Sequence, residues 1–144
     1  MEGDARFRRA VILIRIMVAF VFLSEGIQKF LFANDLGVGR FIKIGIPAPE
    51  IMAPFVGVVE IVCGLLILLG LRTRLAAIPL IIDMIVAIAT TKIPILLESG
   101  FWKMAHEART DLSMLLGSLF LFIIGSGTWS LDQWHADHSK RKDQ

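Results

Sequence analysis

The stretch that decides the fold is AVILIRIMVAFVFLSEGIQKFLF, residues 10–32. A helix needs roughly 20 predominantly apolar residues to cross the hydrocarbon core of a bilayer, and this stretch is long enough. It nevertheless contains Arg15, Glu25 and Lys29. Glu25 and Lys29 are four residues apart with the acid first, which is the favourable order for an ion pair on one helix face. The stretch therefore predicts a membrane-spanning helix whose charged side chains face protein rather than lipid.

The composition of the whole chain supports an integral membrane protein. Hydrophobic residues make up 56% of the 144 residues, the mean hydropathy is +0.72 and only 19% are charged. Soluble domains carry about 25% charged residues. The net charge of +2 and the lack of a basic stripe with interleaved aromatics exclude nucleic acid as an expected partner. The lipid bilayer is the partner that the composition predicts.

Four windows are apolar enough to span a membrane, at about 10–32, 51–71, 75–96 and 112–130. They predict an all-α fold, an integral membrane four-helix bundle occupying residues 1–132, followed by a polar cytoplasmic tail, 133–144. The N-terminal basic residues and apolar run resemble a signal peptide. The run is too long for one and no small-residue cleavage site follows it, so it is interpreted as a retained first span.

The distribution of basic residues predicts the orientation. Eight lie on the side of the termini and of the link between the second and third windows: Arg6, Arg8, Arg9, Arg72, Arg74, Lys140, Arg141 and Lys142. Four lie on the other side: Arg40, Lys43, Lys103 and Arg109. Because cytoplasmic loops carry the excess of Lys and Arg, both termini are predicted to be cytoplasmic.

Six ionisable residues fall inside the windows: Arg15, Glu25, Lys29, Glu60, Asp83 and Lys92. Charges within a membrane tend to face the bundle interior and to find partners there. Arg15 and Asp83 lie at similar depth at about 1.5 Å per residue and are predicted to pair, as are Glu25 and Lys29. Glu60 has no obvious cation, so it is the strongest functional candidate.

Except for Lys92, which is expected to reach the interface, these residues are predicted to form one polar pocket or network. A purely structural role also fits several of them. Arg15 with Asp83 suits an ion pair that fixes packing, and Lys29 lies close enough to a span end to reach the interface. No catalytic residue is identified.

Four glycines are predicted helix-packing positions because small residues let backbones approach closely: Gly26, Gly57, Gly64 and Gly117. The histidines, His106, His135 and His138, all lie outside the windows, and Cys63 is the only cysteine. No metal site, no intramolecular disulfide and no intrinsic cofactor are therefore expected.

The order and spacing of four short motifs resemble the DoxX family over residues 10–132. They are GIQKF at 26–30, GIPAP at 45–49, VEIVCGLLILLGLRTRLAA at 59–77 and GSGTWSLD at 125–132. Matching positions are Gly26, Lys29, Glu60, Gly64, Gly70, Ser130, Leu131 and Asp132. The resemblance implies a small four-helix protein of the bacterial inner membrane.

Relatives in that family are associated with membrane oxidoreductase assemblies, including a thiosulfate:quinone oxidoreductase, and with oxidative-stress complexes, while distant eukaryotic relatives are assembly factors. The resemblance thus implies a multi-pass subunit of an oxidoreductase complex that binds quinone and contacts other subunits. Two alternatives remain: a non-enzymatic scaffold or assembly factor, and proton or small-solute transport by an oligomer.

Overall fold

The computed structural model describes residues 2–142, and all regular structure within them is helical. The elements in chain order are α1 Glu2–Leu31, α2 Val38–Lys43, α3 Pro49–Leu69, α4 Thr73–Ala87, a π-helical turn Ile88–Lys92, α5 Ile93–Ser99, α6 Phe101–Ile124 and α7 Leu131–Lys142. Helix α7 covers most of the predicted tail, of which residues 143–144 lie outside the described residues. The chain is an all-α membrane protein.

Three helical stretches are long and apolar enough to cross a membrane: Gly3–Leu31, Pro49–Leu69 and Thr73–Ser99. The third combines α4, the π turn and α5 into one rod. The turn precedes Pro94, whose ring would clash with the Thr90 carbonyl in a regular α-helix. The wider π turn accommodates the proline, so the rod continues past it.

Helix α6 occupies the region of the fourth predicted span but has different ends. It runs Phe101–Ile124, whereas the predicted window is 112–130. The helix stops because Gly125 and Gly127 both have positive φ, 89° and 73°. A Cβ on Gly127 would lie 2.6 Å from the carbonyl oxygen of Arg8, so this loop packs tightly against α1.

Close helix packing in the bundle centres on glycines. A Cβ on Gly26 of α1 would lie 2.8 Å from the carbonyl oxygen of Gly57 on α3. Gly64 of α3 faces Leu23, and Gly117 of α6 faces Val18 of α1, where an added Cβ would lie 2.7 Å from a valine methyl group. The absence of side chains at these positions lets α1 contact both α3 and α6.

Arg15 joins two helix ends. It is buried, and it donates from Nε to the Ile67 carbonyl at 2.9 Å and from a terminal nitrogen to the Leu68 carbonyl at 2.6 Å. Its other terminal nitrogen donates to the carbonyls of Ser126, at 3.1 Å, and Trp129. The guanidinium therefore ties the C-terminal end of α3 to the loop after α6.

The predicted pairing of Arg15 with Asp83 does not form. The last four carbonyls of a helix have no intrahelical partner and carry the negative end of the helix dipole. A guanidinium with five N–H donors satisfies several of them at once. Arg15 therefore binds backbone oxygens at the end of α3, with Asp132 as its nearby opposite charge.

Candidate functional site

A cavity of about 380 Å³ lies among α1, α2, α3, α4 and α6, and we call it the Glu60 cavity. Four of the five residues predicted to form a polar pocket line it: Glu25, Lys29, Glu60 and Asp83. Arg15 is not among its lining residues. Much of the remaining wall is apolar and includes Val21, Phe22, Phe41, Met52, Val56, Met84 and Met114.

Lys29 and Glu60 form a buried ion pair between α1 and α3. Lys29 Nζ lies 3.0 Å from Oε1 and 2.7 Å from Oε2 of Glu60, which is 2% exposed. The close approach at Gly26 and Gly57 brings the two helices together here, and a Cβ on Gly26 would lie 3.1 Å from the Glu60 Cβ. Glu60, expected to lack a cation, is therefore the partner of Lys29.

Asp83 of α4 completes a three-residue cluster. Its carboxyl group lies against that of Glu60, and Lys29 attracts both. Two ionised carboxylates accept hydrogen bonds and donate none, so this contact is favourable when one of the two groups carries a proton. Asp83 Oδ2 is buried and has no hydrogen-bond partner among residues 2–142. The cluster thus brings together one ammonium and two carboxyl groups that can share a proton.

Glu25 has a different position from the one its spacing predicts. It lines the cavity and is close enough to repel Asp83, but it is exposed rather than buried. Lys29 lies four residues away on the same helix and makes its short contacts with Glu60. Glu25 therefore contributes negative charge at the accessible part of the cavity.

A second ion pair, between Lys92 and Asp111, was not predicted. Lys92 Nζ lies 2.9 Å from Asp111 Oδ2, and Lys92 is buried rather than extended to the interface. Asp111 lines the cavity and is close enough to Asp83 to repel it. The sequence signal that could have identified Asp111 is its spacing, because Met114, Ser118 and Leu121 follow it on the same helix face. In the structure all three of these residues are buried.

The π turn lies beside these carboxyl groups. Thr90 and Thr91 line the cavity, and their hydroxyls donate to backbone carbonyls one turn earlier. Such π turns occur often at functional sites. The arrangement can bind a small ligand with carbonyl or hydroxyl oxygens, donate to it from Lys29 and exchange a proton with the Glu60–Asp83 pair. Among residues 2–142, no group of three His, Cys, Asp or Glu side chains is placed to hold a metal ion.

Comparisons with known proteins identify the relatives of the chain. The DoxX family profile matches residues 10–93. An uncharacterised membrane protein of Mycobacterium tuberculosis is 59% identical over 130 residues, covering 86% of this chain and 80% of the relative. No solved structure gives a significant match.

Two more distant relatives also match over most of their length. A Bacillus subtilis protein named "Putative oxidoreductase CatD" is 29% identical over 126 residues, covering 88% of this chain and 87% of the relative. An uncharacterised protein of Haemophilus influenzae is 34% identical over 123 residues, with coverage of 83% and 85%.

Proposed function

The chain belongs to the DoxX family, and from that membership and the Glu60 cavity we propose that it is a quinone-binding membrane subunit of an oxidoreductase complex. The observation that carries the proposal is the cluster of Lys29, Glu60 and Asp83 in a cavity with largely apolar walls. The oxidoreductase name of the Bacillus subtilis relative supports the same class of function.

The cavity suits a quinone head group in size and in polar groups. Ligand sites commonly measure about 300–1,000 Å³ and combine apolar walls with a few placed polar groups. Lys29 can donate a hydrogen bond to a carbonyl oxygen, and Asp83 Oδ2, which has no partner among the described residues, can accept one from a hydroxyl. The apolar wall residues, such as Phe22 and Met84, exclude water from the ring.

A bound quinone would accept two electrons and two protons to become a quinol. In this proposal the Glu60–Asp83 pair supplies one of these protons, and the partly exposed Asp111 is the route by which protons are replaced from water. We assign the electrons to a reduced flavin or iron–sulfur centre on a partner subunit. Cys63, the only cysteine, cannot form a dithiol within this chain.

The test compares the wild-type protein with the Glu60→Gln variant. Each is purified in mild detergent together with the proteins that bind it, and quinone content, quinone reduction and partner recovery are measured. Positioned acid–base groups contribute about 10²–10⁴-fold to rate, so we expect quinone reduction to fall roughly 100-fold while partner recovery is unchanged. Glu50→Gln is the matched control, because Glu50 is exposed on the same helix and outside the cavity lining. Wild-type quinone content and turnover in Glu60→Gln would refute the proposal.

A scaffold or assembly factor is the second candidate function. The first half of α6 carries exposed Lys103, Glu107 and Arg109, and Trp102 is 84% exposed. Exposed Trp and Arg side chains are enriched at protein interfaces, and the charged residues beside them suit a polar rim, so this surface suits contact with a partner protein. If substitutions at Trp102 and Lys103 abolish partner recovery while Glu60→Gln has no effect on any measured activity, this function is favoured.

A further inference from the structure

We propose that a second cavity, at the opposite end of α1 from Lys29, binds a phosphate group. This arginine cavity measures about 410 Å³ and is lined by Arg8, Arg72, Thr73, Arg74 and Asp132, among others. It lies far along α1 from the Glu60 cavity and shares no lining residue with it. The inference is therefore independent of the proposed redox function.

The charge of the cavity favours an anion. Three arginines line it, against the single carboxylate of Asp132. That carboxylate is already engaged, because its Oδ1 accepts the Arg72 backbone N–H at 2.9 Å and Arg15 lies close enough to attract it. Arg74 donates from one terminal nitrogen to the Ile123 carbonyl at 3.0 Å, which leaves its remaining N–H groups for a ligand.

The N-terminus of α4 adds backbone donors at the same place. The first backbone bond of this helix runs from the Ala76 N–H to the Arg72 carbonyl at 3.1 Å. The N–H groups of Thr73, Arg74 and Leu75 thus have no partner within the helix, and all three residues line the cavity. Helix N-termini with free N–H groups and the positive end of the dipole bind anions.

The side chain of Thr73 is the independent observation that points to a ligand. Thr73 is 1% exposed, and its hydroxyl has no hydrogen-bond partner among the described residues. Buried hydroxyls are nearly always paired, so this one calls for an acceptor. A phosphate group offers several oxygens to the arginines, the N–H groups and the hydroxyl together. Arginines at this position ordinarily set the orientation of a protein in the membrane. That role explains neither the cavity nor the unpaired buried hydroxyl of Thr73.

The phosphate can belong to an anionic phospholipid or to a soluble phosphate compound, and the experiment separates these sources. In the lipid arm, nanodiscs of phosphatidylcholine containing phosphatidylglycerol are analysed by native mass spectrometry for retained lipid. In the soluble arm, nanodiscs of phosphatidylcholine alone are titrated with inorganic phosphate. Retention in the first arm only identifies a lipid headgroup, and saturable binding in the second identifies a soluble ligand. Either result supports the site.

Three variants locate the binding. Arg72→Gln, at an exposed side chain, is expected to weaken binding roughly tenfold, as for a lost hydrogen bond between charged groups. Thr73→Val replaces the hydroxyl with a methyl group of similar size and should weaken binding about threefold without a change in charge. Arg9→Gln is the control, because Arg9 is exposed at the same end and outside the cavity lining. The proposal is overturned if neither ligand binds, if Thr73→Val binds like wild type, or if Arg9→Gln weakens binding as much as Arg72→Gln.

Discussion

Arg15 shows how a membrane helix tolerates a guanidinium without an acidic partner in contact. Its donors reach four backbone carbonyls, two at the end of α3 and two in the loop after α6. Gly70 makes room for this arrangement, since an added Cβ would lie 2.6 Å from a terminal nitrogen of Arg15. A buried charge is thus satisfied by dipoles at a helix end rather than by an opposite charge in direct contact.

We expect Arg15→Met to destabilise the protein by about 3 kcal/mol, because a buried hydrogen-bond network is broken and its carbonyls lose their donors. Arg15→Lys should recover part of the loss, since an ammonium keeps the charge but has fewer donors and no planar fork. Thermal unfolding in detergent measures both, with Arg9→Met as the exposed control. A wild-type midpoint for Arg15→Met would show that Arg15 is not a structural tie.

At the residue scale, the sequence predicts which charges avoid lipid better than it predicts their partners. Glu25, Lys29, Glu60 and Asp83 line one cavity because exposure of a charge to hydrocarbon is unfavourable for each of them. The depth of a residue along its helix does not determine which neighbouring helix its side chain faces. The sequence therefore did not predict that Lys29 contacts Glu60 on α3. The predicted partner of Arg15 was wrong because only charged side chains were considered as partners. Its actual partners include backbone carbonyls at the end of α3.

At the element scale, the contact between α1 and α3 determines the geometry of the Glu60 cavity. Gly26 and Gly57 face one another one helical turn from Lys29 and Glu60 respectively. Contact between the two backbones is what keeps the Lys29 ammonium within 3.0 Å of both Glu60 oxygens. Packing and site are therefore coupled through these glycines.

The coupling predicts that Gly26→Ala will impair the site as well as stability. The new Cβ would lie 2.8 Å from the Gly57 carbonyl oxygen, and overpacking of this kind costs about 1–3 kcal/mol. Unfolding midpoint and quinone retention should fall together. Gly3→Ala, in the same helix with nothing within 4 Å, should leave both at wild-type values or above. Normal stability and retention in Gly26→Ala would contradict the coupling.

Element positions were more predictable than element ends. The first three windows overlap the three helical stretches long and apolar enough to cross a membrane, since hydropathy depends on composition alone. The π turn at Ile88–Lys92 was not predicted, because Pro94 leaves a choice between a break, a kink and a wider turn. The end of α6 depends on loop packing against Arg8, a contact distant in sequence.

At the scale of the whole molecule, three chain segments gather at one end of the bundle. The Thr128 N–H lies 3.4 Å from the Arg8 carbonyl, and the Asp132 N–H donates to the Gly70 carbonyl at 3.1 Å. The start of α1, the link after α3 and the start of α7 therefore share one face. The first two of these segments are rich in Arg, and the arginine cavity lies among all three.

The charge excess at this end predicts that it faces the bacterial cytoplasm, with the Glu60 cavity in the outer half of the membrane. The substitutions Ser139→Cys and Glu98→Cys, each made separately in a Cys63→Ser background, place one exposed cysteine on each side of the membrane. A membrane-impermeant maleimide should label residue 98 in intact cells with a permeabilised outer membrane, and residue 139 only in inverted vesicles. The unsubstituted chain is the control, because buried Cys63 should stay unlabelled in both.

Labelling of residue 139 in intact cells would show that the orientation is the opposite of the one predicted. The two cavities would be affected differently. The arginine cavity would then meet the outer leaflet, and a cytoplasmic soluble phosphate could no longer be its ligand. The Glu60 cavity would take its protons from the cytoplasmic side, through partly exposed Asp111. Its chemistry would survive, because the contacts among Lys29, Glu60 and Asp83 do not depend on which side of the membrane they face.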